Sequence, residues 1–185
     1  MTKHRAILLT LAVLALAGTS CRSRTDRDGA TVIISVHEFS GVPFSVSLTN
    51  HIDAQGNDLF TIENVGIANN AKDSNGVVTP LQDVQMRSYE VRYRRRDPGR
   101  VPPPTVLGIS GTVEGGQVTN YLGVPWITSD QILNQPLKDL LDFGRDRETN
   151  STVITLDVSM RFFGRTLSGD EVSTDPATFT VEIRQ

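Results

Sequence analysis

The sequence predicts an all-β fold, an antiparallel two-sheet sandwich with one short helix that follows an N-terminal signal segment. Apolar residues recur at every second position in seven or eight short segments, which is the spacing of strands with one buried face. Turn-forming Gly, Pro, Asn and Asp residues separate these segments. Many short strands with turns between them favour a sandwich.

The first half of the domain contains four predicted strands. Alternation predicts strands at 32–36 and 44–48, and a third strand, 59–65, follows the turn-rich segment 53–58. The clearest strand spans 84–96 and ends at a proline-rich stretch that cannot donate to a ladder. Its two predicted faces are Tyr89, Val91 and Tyr93 on the apolar side, and Glu90, Arg92 and Arg94 on the charged side.

The second half contains the remaining strands. Alternation predicts a strand at 106–113, followed by a glycine turn at 115–116. The segments 153–163 and 177–183 are interpreted as a closing hairpin, with its turn at 167–170.

One segment is predicted to be helical. Pro136 suits a first helical position, Leu137 and Leu140 lie on one face together with Leu141, and Gly144 follows the last turn. A helix of two turns is unstable alone, so its leucines are expected to pack on the sheets.

The N-terminus has the composition of an export signal. Lys3 and Arg5 precede an apolar run, 6–18, which ends in small residues just before Cys21. The run is shorter than the roughly 20 residues of a spanning helix. It resembles a bacterial lipoprotein signal with its lipobox, which implies a lipidated Cys21. Ordinary secretion, with cleavage after the A-x-A sequence at 15–17, is the alternative.

The cysteine count favours the lipoprotein, because Cys21 is the single cysteine of the chain and lipidation accounts for its thiol. Residues 1–20 are then the signal peptide, 21–30 a lipidated cysteine with a flexible tether, and 31–185 the domain. Several acyl chains make such an anchor effectively permanent. Arg22 follows the cysteine at the position of a retention-type Asp, which favours the outer membrane of the bacterial envelope.

A second resemblance concerns the domain. Residues 88–94 read Ser-Tyr-Glu-Val-Arg-Tyr-Arg, which is similar to the Tyr-x-Val-x-Tyr strand of fibronectin type III and related immunoglobulin-like domains. Together with 154–164, this strand resembles a group of uncharacterised bacterial lipoproteins with Ig-like sandwiches. The resemblance implies a fold and a location, and it carries no catalytic residue. The chain lacks a core disulfide, and its Trp126 lies in a loop-like context.

Composition and motifs argue against several functions. Without the signal the chain has 16 basic and 21 acidic residues, a net charge of −5, and no basic stripe with aromatics, so nucleic acid is not expected as a partner. His37 and His51 cannot assemble a zinc site. The turn at 73–76 begins like a calcium loop but lacks the rest of its ligands. Residues 108–111 differ by one residue from the Gly-x-Ser-x-Gly motif of a nucleophile elbow. Neither an enzyme nor a cofactor is therefore predicted.

Two features are candidate binding surfaces. Arg92, Arg94 and Arg96 share one strand face, where guanidinium groups could meet an anionic partner such as a lipid A phosphate or a uronic acid; the alternative is a solvated face that guards against aggregation. Tyr121 and Trp126 could form an aromatic sugar-binding or protein-binding surface, and the alternative is core packing of Trp126.

These features predict a non-enzymatic, membrane-anchored binding or scaffold domain of the bacterial envelope. Its expected partners are the membrane, through the lipid, and another envelope protein. The alternative is a carbohydrate-binding module for peptidoglycan or a surface glycan, which requires Tyr121 and Trp126 to be exposed on one face.

Overall fold

The alternating segments fold into β-strands, as their spacing predicts. A computed structural model describes residues 29–52, 54–56 and 58–185, and among them are nine strands, two α-helices and a 3₁₀ turn at Pro80–Gln82. The helices are α1, Ser129–Ile132, and α2, Leu137–Phe143. The strands are β1 Val32–Ser40, β2 Ser45–Ser47, β3 Thr61–Ala71, β4 Val84–Arg95, β5 Thr105–Val113, β6 Val118–Pro125, β7 Ile154–Thr166, β8 Glu171–Ser173 and β9 Ala177–Arg184.

The strands form two sheets, which confirms the all-β prediction at that level. The smaller sheet has the order β1-β3-β6. The larger has six strands in the order β2-β9-β7-β4-β5, with β8 paired to β7, and it curls into a half-barrel. Pairing is antiparallel except between β2 and β9, which run parallel. The predicted pairing of the last two long segments is correct, because β7 and β9 are antiparallel neighbours.

The core lies on the inner face of the curled sheet. Tyr89 and Val91 of β4 and Phe162 of β7 point into it and are almost fully buried, and the rings of Tyr89 and Phe162 stack with their centroids 5.4 Å apart. The Tyr89 hydroxyl donates to the Pro125 carbonyl at 2.9 Å. This bond satisfies a buried hydroxyl and links β4 to the end of β6, which belongs to the other sheet.

The leucines of α2 pack on the core, as predicted. Leu137 and Leu140 are fully buried, and Gly144 ends the helix at φ 69°, a left-handed conformation that favours glycine. The helix starts one residue later than expected, with Pro136 at the N-cap. The short helix α1 is additional, and its N-terminus is closed by a capping box between Thr128 and Gln131.

Three local features differ from the prediction. The strand β6, which contains Tyr121, was not predicted, because Gly123, at φ 61°, and Pro125 interrupt the alternation that would have revealed it. Phe44 does not face the core but is 76% exposed, since β2 begins only at Ser45. The three-residue strand β8 between β7 and β9 was not predicted, because three residues are too few to show a period.

Candidate binding surface

The outer face of the larger sheet carries the predicted arginines. Tyr89 and Val91 point inward from β4, so the alternation of the strand turns Arg92 and Arg94 outward. Both arginines are exposed. Arg96 follows the end of β4 and is exposed too, with 61% of its side-chain surface accessible. The structure therefore places Arg92, Arg94 and Arg96 on the same outer face.

The neighbouring strands place short hydroxyl side chains beside these arginines. In the register of β4 and β7, Arg92 lies opposite Ser159 and Arg94 lies opposite Asp157. In the register of β7 and β9, Ser159 lies opposite Thr178. Directly opposed residues on one sheet face are neighbours, so a row of one arginine and two hydroxyl groups crosses three strands.

We call this surface the arginine face. It contains four arginines and two acidic residues, whereas the whole chain has a formal net charge of −3. Its members are Glu90, Arg92, Arg94, Arg96, Asp157, Ser159, Arg161, Thr178 and Thr180.

Both acidic residues of the arginine face are paired. Arg92 Nη2 lies 2.9 Å from Glu90 Oε1. Arg96 Nη2 lies 2.9 Å from Asp157 Oδ1, and the Thr180 hydroxyl donates to the same oxygen at 2.7 Å. Hydrogen bonds from Arg96 and Thr180 hold the pKa of the Asp157 carboxyl below its usual value. Arg94, in contrast, has no carboxylate within ion-pair distance among the described residues.

Arg161 of β7 completes the charged set. It lies opposite Glu90 in the β4–β7 register. Its Nη2 donates to the Ser173 hydroxyl at 2.7 Å, and its guanidinium carbon lies 5.4 Å from the centre of the Phe163 ring. These contacts hold the side chain over the sheet. Its Nε is buried and has no hydrogen-bond partner within the described part of the chain.

Two depressions flank Ser159 on the arginine face. One, of about 260 Å³, is lined by Glu90, Arg92, Ser159 and Arg161. The other, of about 400 Å³, lies on the opposite side of Ser159. Its polar lining residues are Arg94, Asp157, Ser159, Thr178 and Thr180. They are depressions because serine and threonine are shorter than the arginines around them.

Arg95 lies between two exposed arginines but is not part of this surface. It points inward, and its guanidinium is buried against Asp97 and Asp146. Its Nη2 lies 2.9 Å from Asp146 Oδ2. Burial alone would raise the pKa of the Asp146 carboxyl, but hydrogen bonds from Thr149, Arg95 and the Glu148 N–H outweigh it, so this pKa lies below its usual value. The cluster ties the end of β4 to the loop before β7.

The aromatic candidates are not a surface. Trp126 is fully buried, its Nε1 donates to the Leu59 carbonyl at 2.9 Å, and its ring meets Phe179 edge-on with centroids 5.7 Å apart. Tyr121 points to the inner side as well, and burial raises the pKa of its phenol. The hypothesis of an exposed Tyr121–Trp126 platform is therefore wrong, and the alternative of core packing is correct for Trp126.

The two histidines and the turn at 73–76 lie outside the arginine face. His37 is exposed on β1, and His51 stacks on Phe60 with ring centroids 4.5 Å apart. The Asp73 carboxylate accepts the Asn75 N–H at 3.0 Å, which is the bonding of an ordinary turn. No group of three or more metal-ligating side chains is found among the described residues.

Cys21 and the tether up to residue 28 lie outside the described residues. In the part of the chain that the structure covers, neither helix has the length and hydrophobicity needed to cross a bilayer. The anchor therefore stays a prediction from the sequence.

Sequence reasoning missed the residues on β7 and β9 that complete the arginine face. Ser159, Arg161 and Thr178 each lie at an outward position of a predicted strand. The signal that identifies them is the register that places these strands beside β4, and alternation within one strand does not contain it. No family model, no curated protein and no solved structure matches this chain.

Proposed function

We propose that this chain is a non-enzymatic binding domain of the bacterial envelope, held at the membrane by a lipid on Cys21, with the arginine face as its binding surface. The observation that supports it is the segregation of charge: four arginines surround hydroxyl-lined depressions in a chain that is acidic as a whole. Arg92 and Arg94 are exposed donors on a rigid central strand, which suits recognition of an anionic partner.

The location in this proposal rests on the sequence of the signal segment. The two-sheet β architecture is compatible with the Ig-like envelope lipoproteins that the strand 88–94 resembles, and we propose that relationship as the origin of the fold. The short tether between Cys21 and β1 would keep the domain within a few nanometres of the membrane surface.

Capture from native membranes tests the proposal. The full-length protein is crosslinked in cells and purified, and the variants are Cys21→Ser, Arg92→Glu with Arg94→Glu, and Arg87→Glu. Arg87 is a matched control, since it is an exposed β4 arginine whose ion pair to Glu171 is loose at 3.6 Å. We expect release from the membrane in Cys21→Ser, loss of the captured component in the double variant, and no loss in Arg87→Glu.

Two outcomes would reject the proposal. Retention of Cys21→Ser in the membrane to the same extent as the unmodified chain would disprove the lipid anchor. Undiminished capture by the double variant would move the binding surface away from the arginine face.

A further inference from the structure

We infer that the two depressions beside Ser159 bind consecutive anionic groups of an acidic glycan, with the Arg92–Arg161 depression as the primary oxyanion site. The inference rests on the proposed function and names the class of ligand for the arginine face. Two observations carry it: the exposed Arg92 guanidinium beside Ser159 and Arg161 in the smaller depression, and the repetition of the same side-chain chemistry in the larger one.

The smaller depression offers guanidinium and hydroxyl donors to one oxyanion. Arg92 approaches it from β4 with 69% of its side-chain surface exposed. Ser159 forms its floor, and Arg161 borders it from β7. The Arg161 Nη2 donates to the Ser173 hydroxyl, so Arg161 adds positive charge beside the depression while Arg92 and the Ser159 hydroxyl are the donors available to an oxyanion.

Glu90 is the competitor that such a ligand must displace. Its carboxylate holds Arg92 at 2.9 Å and lines the same depression. The pair is a partly exposed one, whose attraction is weakened by solvent. A ligand carboxylate or phosphate can therefore exchange with Glu90 as the partner of Arg92, and removal of the Glu90 charge should strengthen binding.

The larger depression repeats this chemistry one step along the sheet. Arg94 borders it and has no carboxylate in ion-pair distance within the described chain, while Asp157 is already occupied by Arg96 and Thr180. Arg92 and Arg94 are two residues apart on one face, a spacing of about 7 Å. A ligand with one charge on each repeating unit can place neighbouring charges at such a spacing.

The lining favours a glycan over a protein as the ligand. Hydroxyl groups of Ser159, Thr178 and Thr180 lie between the arginines, where they can pair with sugar hydroxyls. Protein interfaces have instead a desolvated centre rich in aromatic residues. Phe179 lines the larger depression and Phe163 is engaged by Arg161, but the other side chains that line the two depressions are mainly charged or hydroxyl-bearing.

The test is binding of oligogalacturonate, a glycan with a carboxylate on every sugar, to the full-length chain purified in detergent. A neutral oligosaccharide of the same length is the control ligand. We expect saturable binding of the acidic glycan, about tenfold weaker binding by Arg92→Gln from the loss of a charge-assisted hydrogen bond, and weaker binding by Ser159→Ala.

Two further variants distinguish binding in the depressions from general effects on charge or folding. Glu90→Gln is expected to bind about threefold more tightly as the competing carboxylate is removed, a gain that damage to the fold cannot produce. Arg87→Gln removes the same charge as Arg92→Gln from the same strand outside the depressions, and is expected to bind like the unmodified chain.

Three results would overturn the inference: no binding of the acidic glycan, equal losses in Arg87→Gln and Arg92→Gln, or no gain in Glu90→Gln. Capture of an envelope protein through the arginine face, together with no glycan binding, would reject the glycan and leave the proposed function intact. Failure of the membrane-capture experiment would reject the proposed function itself, so the two failures are distinguishable.

Discussion

Adjacent arginines in this chain have opposite roles, and the parity of their positions on β4 decides which role each has. Arg94 points outward and is exposed, whereas Arg95 points inward and forms a buried ion pair with Asp146. Alternation within one strand is sufficient to predict this difference. It does not predict the partner, because Asp146 comes from a loop 51 residues away in the sequence.

The Arg95–Asp146 pair gives a prediction for stability. Asp146→Asn removes one charge of a buried pair and leaves the Arg95 guanidinium partly uncompensated, with Asp97 as its remaining carboxylate. We expect the free energy of unfolding to fall by about 3 kcal/mol. Urea unfolding of the purified chain measures it, with Asp142→Asn as the control, because Asp142 is exposed and its ion pair is with the exposed Lys138. Equal stabilities of the two variants would show that the buried Arg95–Asp146 ion pair does not stabilise the fold more than an exposed pair does.

The same pair predicts a dependence of stability on pH. Hydrogen bonds and Arg95 hold the pKa of Asp146, and that of Asp97, below their usual values in the folded chain. The unfolded chain therefore binds more protons near pH 3, where unfolded aspartates of pKa about 3.9 are protonated. The stabilisation is complete above about pH 5 and is lost as pH falls through the folded pKa. Urea midpoints at pH 3 and pH 6 should differ less in Asp146→Asn than in the unmodified chain.

Trp126 gives an optical test of the core, because it is the only tryptophan in the chain. It is fully buried and packed against Phe179, so its fluorescence should be blue-shifted in the folded chain, insensitive to added iodide, and red-shifted on unfolding. Trp126→Ala is expected to destabilise the fold by about 3–5 kcal/mol. Ready quenching by iodide in the folded chain would show that Trp126 is exposed to solvent, and it would contradict its buried position.

At the scale of elements, the centre of the larger sheet depends on the close approach of β4 and β7. Gly164 of β7 lies against β4, and a Cβ at this position would meet Val84 Cγ1 at 2.5 Å and the Gln85 carbonyl oxygen at 2.9 Å. Neither atom is the end of a long flexible side chain. The two strands therefore have no room for a side chain there, and their separation fixes the neighbouring rows of the arginine face.

Gly164→Ala is expected to destabilise the chain by about 1–3 kcal/mol, because the strands must move apart to admit a methyl group. Gly108→Ala in β5 is the matched control, since nothing lies within 4 Å of the added carbon and φ is ordinary there. Thermal unfolding of the two variants makes the comparison. A Gly164→Ala variant as stable as Gly108→Ala would show that the strands are not so closely packed.

Elements with an uninterrupted period could be predicted from the sequence, and the others could not. The strand β4 alternates without interruption from Ser88 to Arg95, after a bulge between Met86 and Ser88, and its predicted C-terminal boundary differs by one residue from the structure. The strand β6 was missed because Gly123 and Pro125 break its period. The four-residue helix α1 and the three-residue strand β8 are too short to show any period.

For the whole molecule, the pairing of distant strands creates the candidate site. The three arginines of the sequence prediction lie on β4 and just after its end, but the depressions exist only where β7 and β9 lie beside β4. Hydrophobic periodicity specifies which face of a strand is buried and does not specify its neighbours. The arginines at β4 were therefore predictable from the sequence. The residues that β7 and β9 contribute could be identified only from the register of the sheet.

Charge segregation across the molecule predicts a salt dependence. A basic face on an acidic chain attracts an anionic partner over distances of about one Debye length, which is ~8 Å at physiological ionic strength. Raising the salt from 0.05 to about 0.5 M should weaken capture of the partner severalfold. Capture that is unchanged or stronger at high salt would indicate an apolar interface elsewhere.

The proposed function requires that the partner binds at the arginine face in the cell. A photo-crosslinking amino acid at position 159 or 178 tests it in native membranes, with position 77 as the control because Val77 is 84% exposed and lies in the loop between β3 and β4. We expect a discrete adduct from positions 159 and 178 and none from position 77. Adducts from position 77 alone, or from no position on the arginine face, would contradict the account.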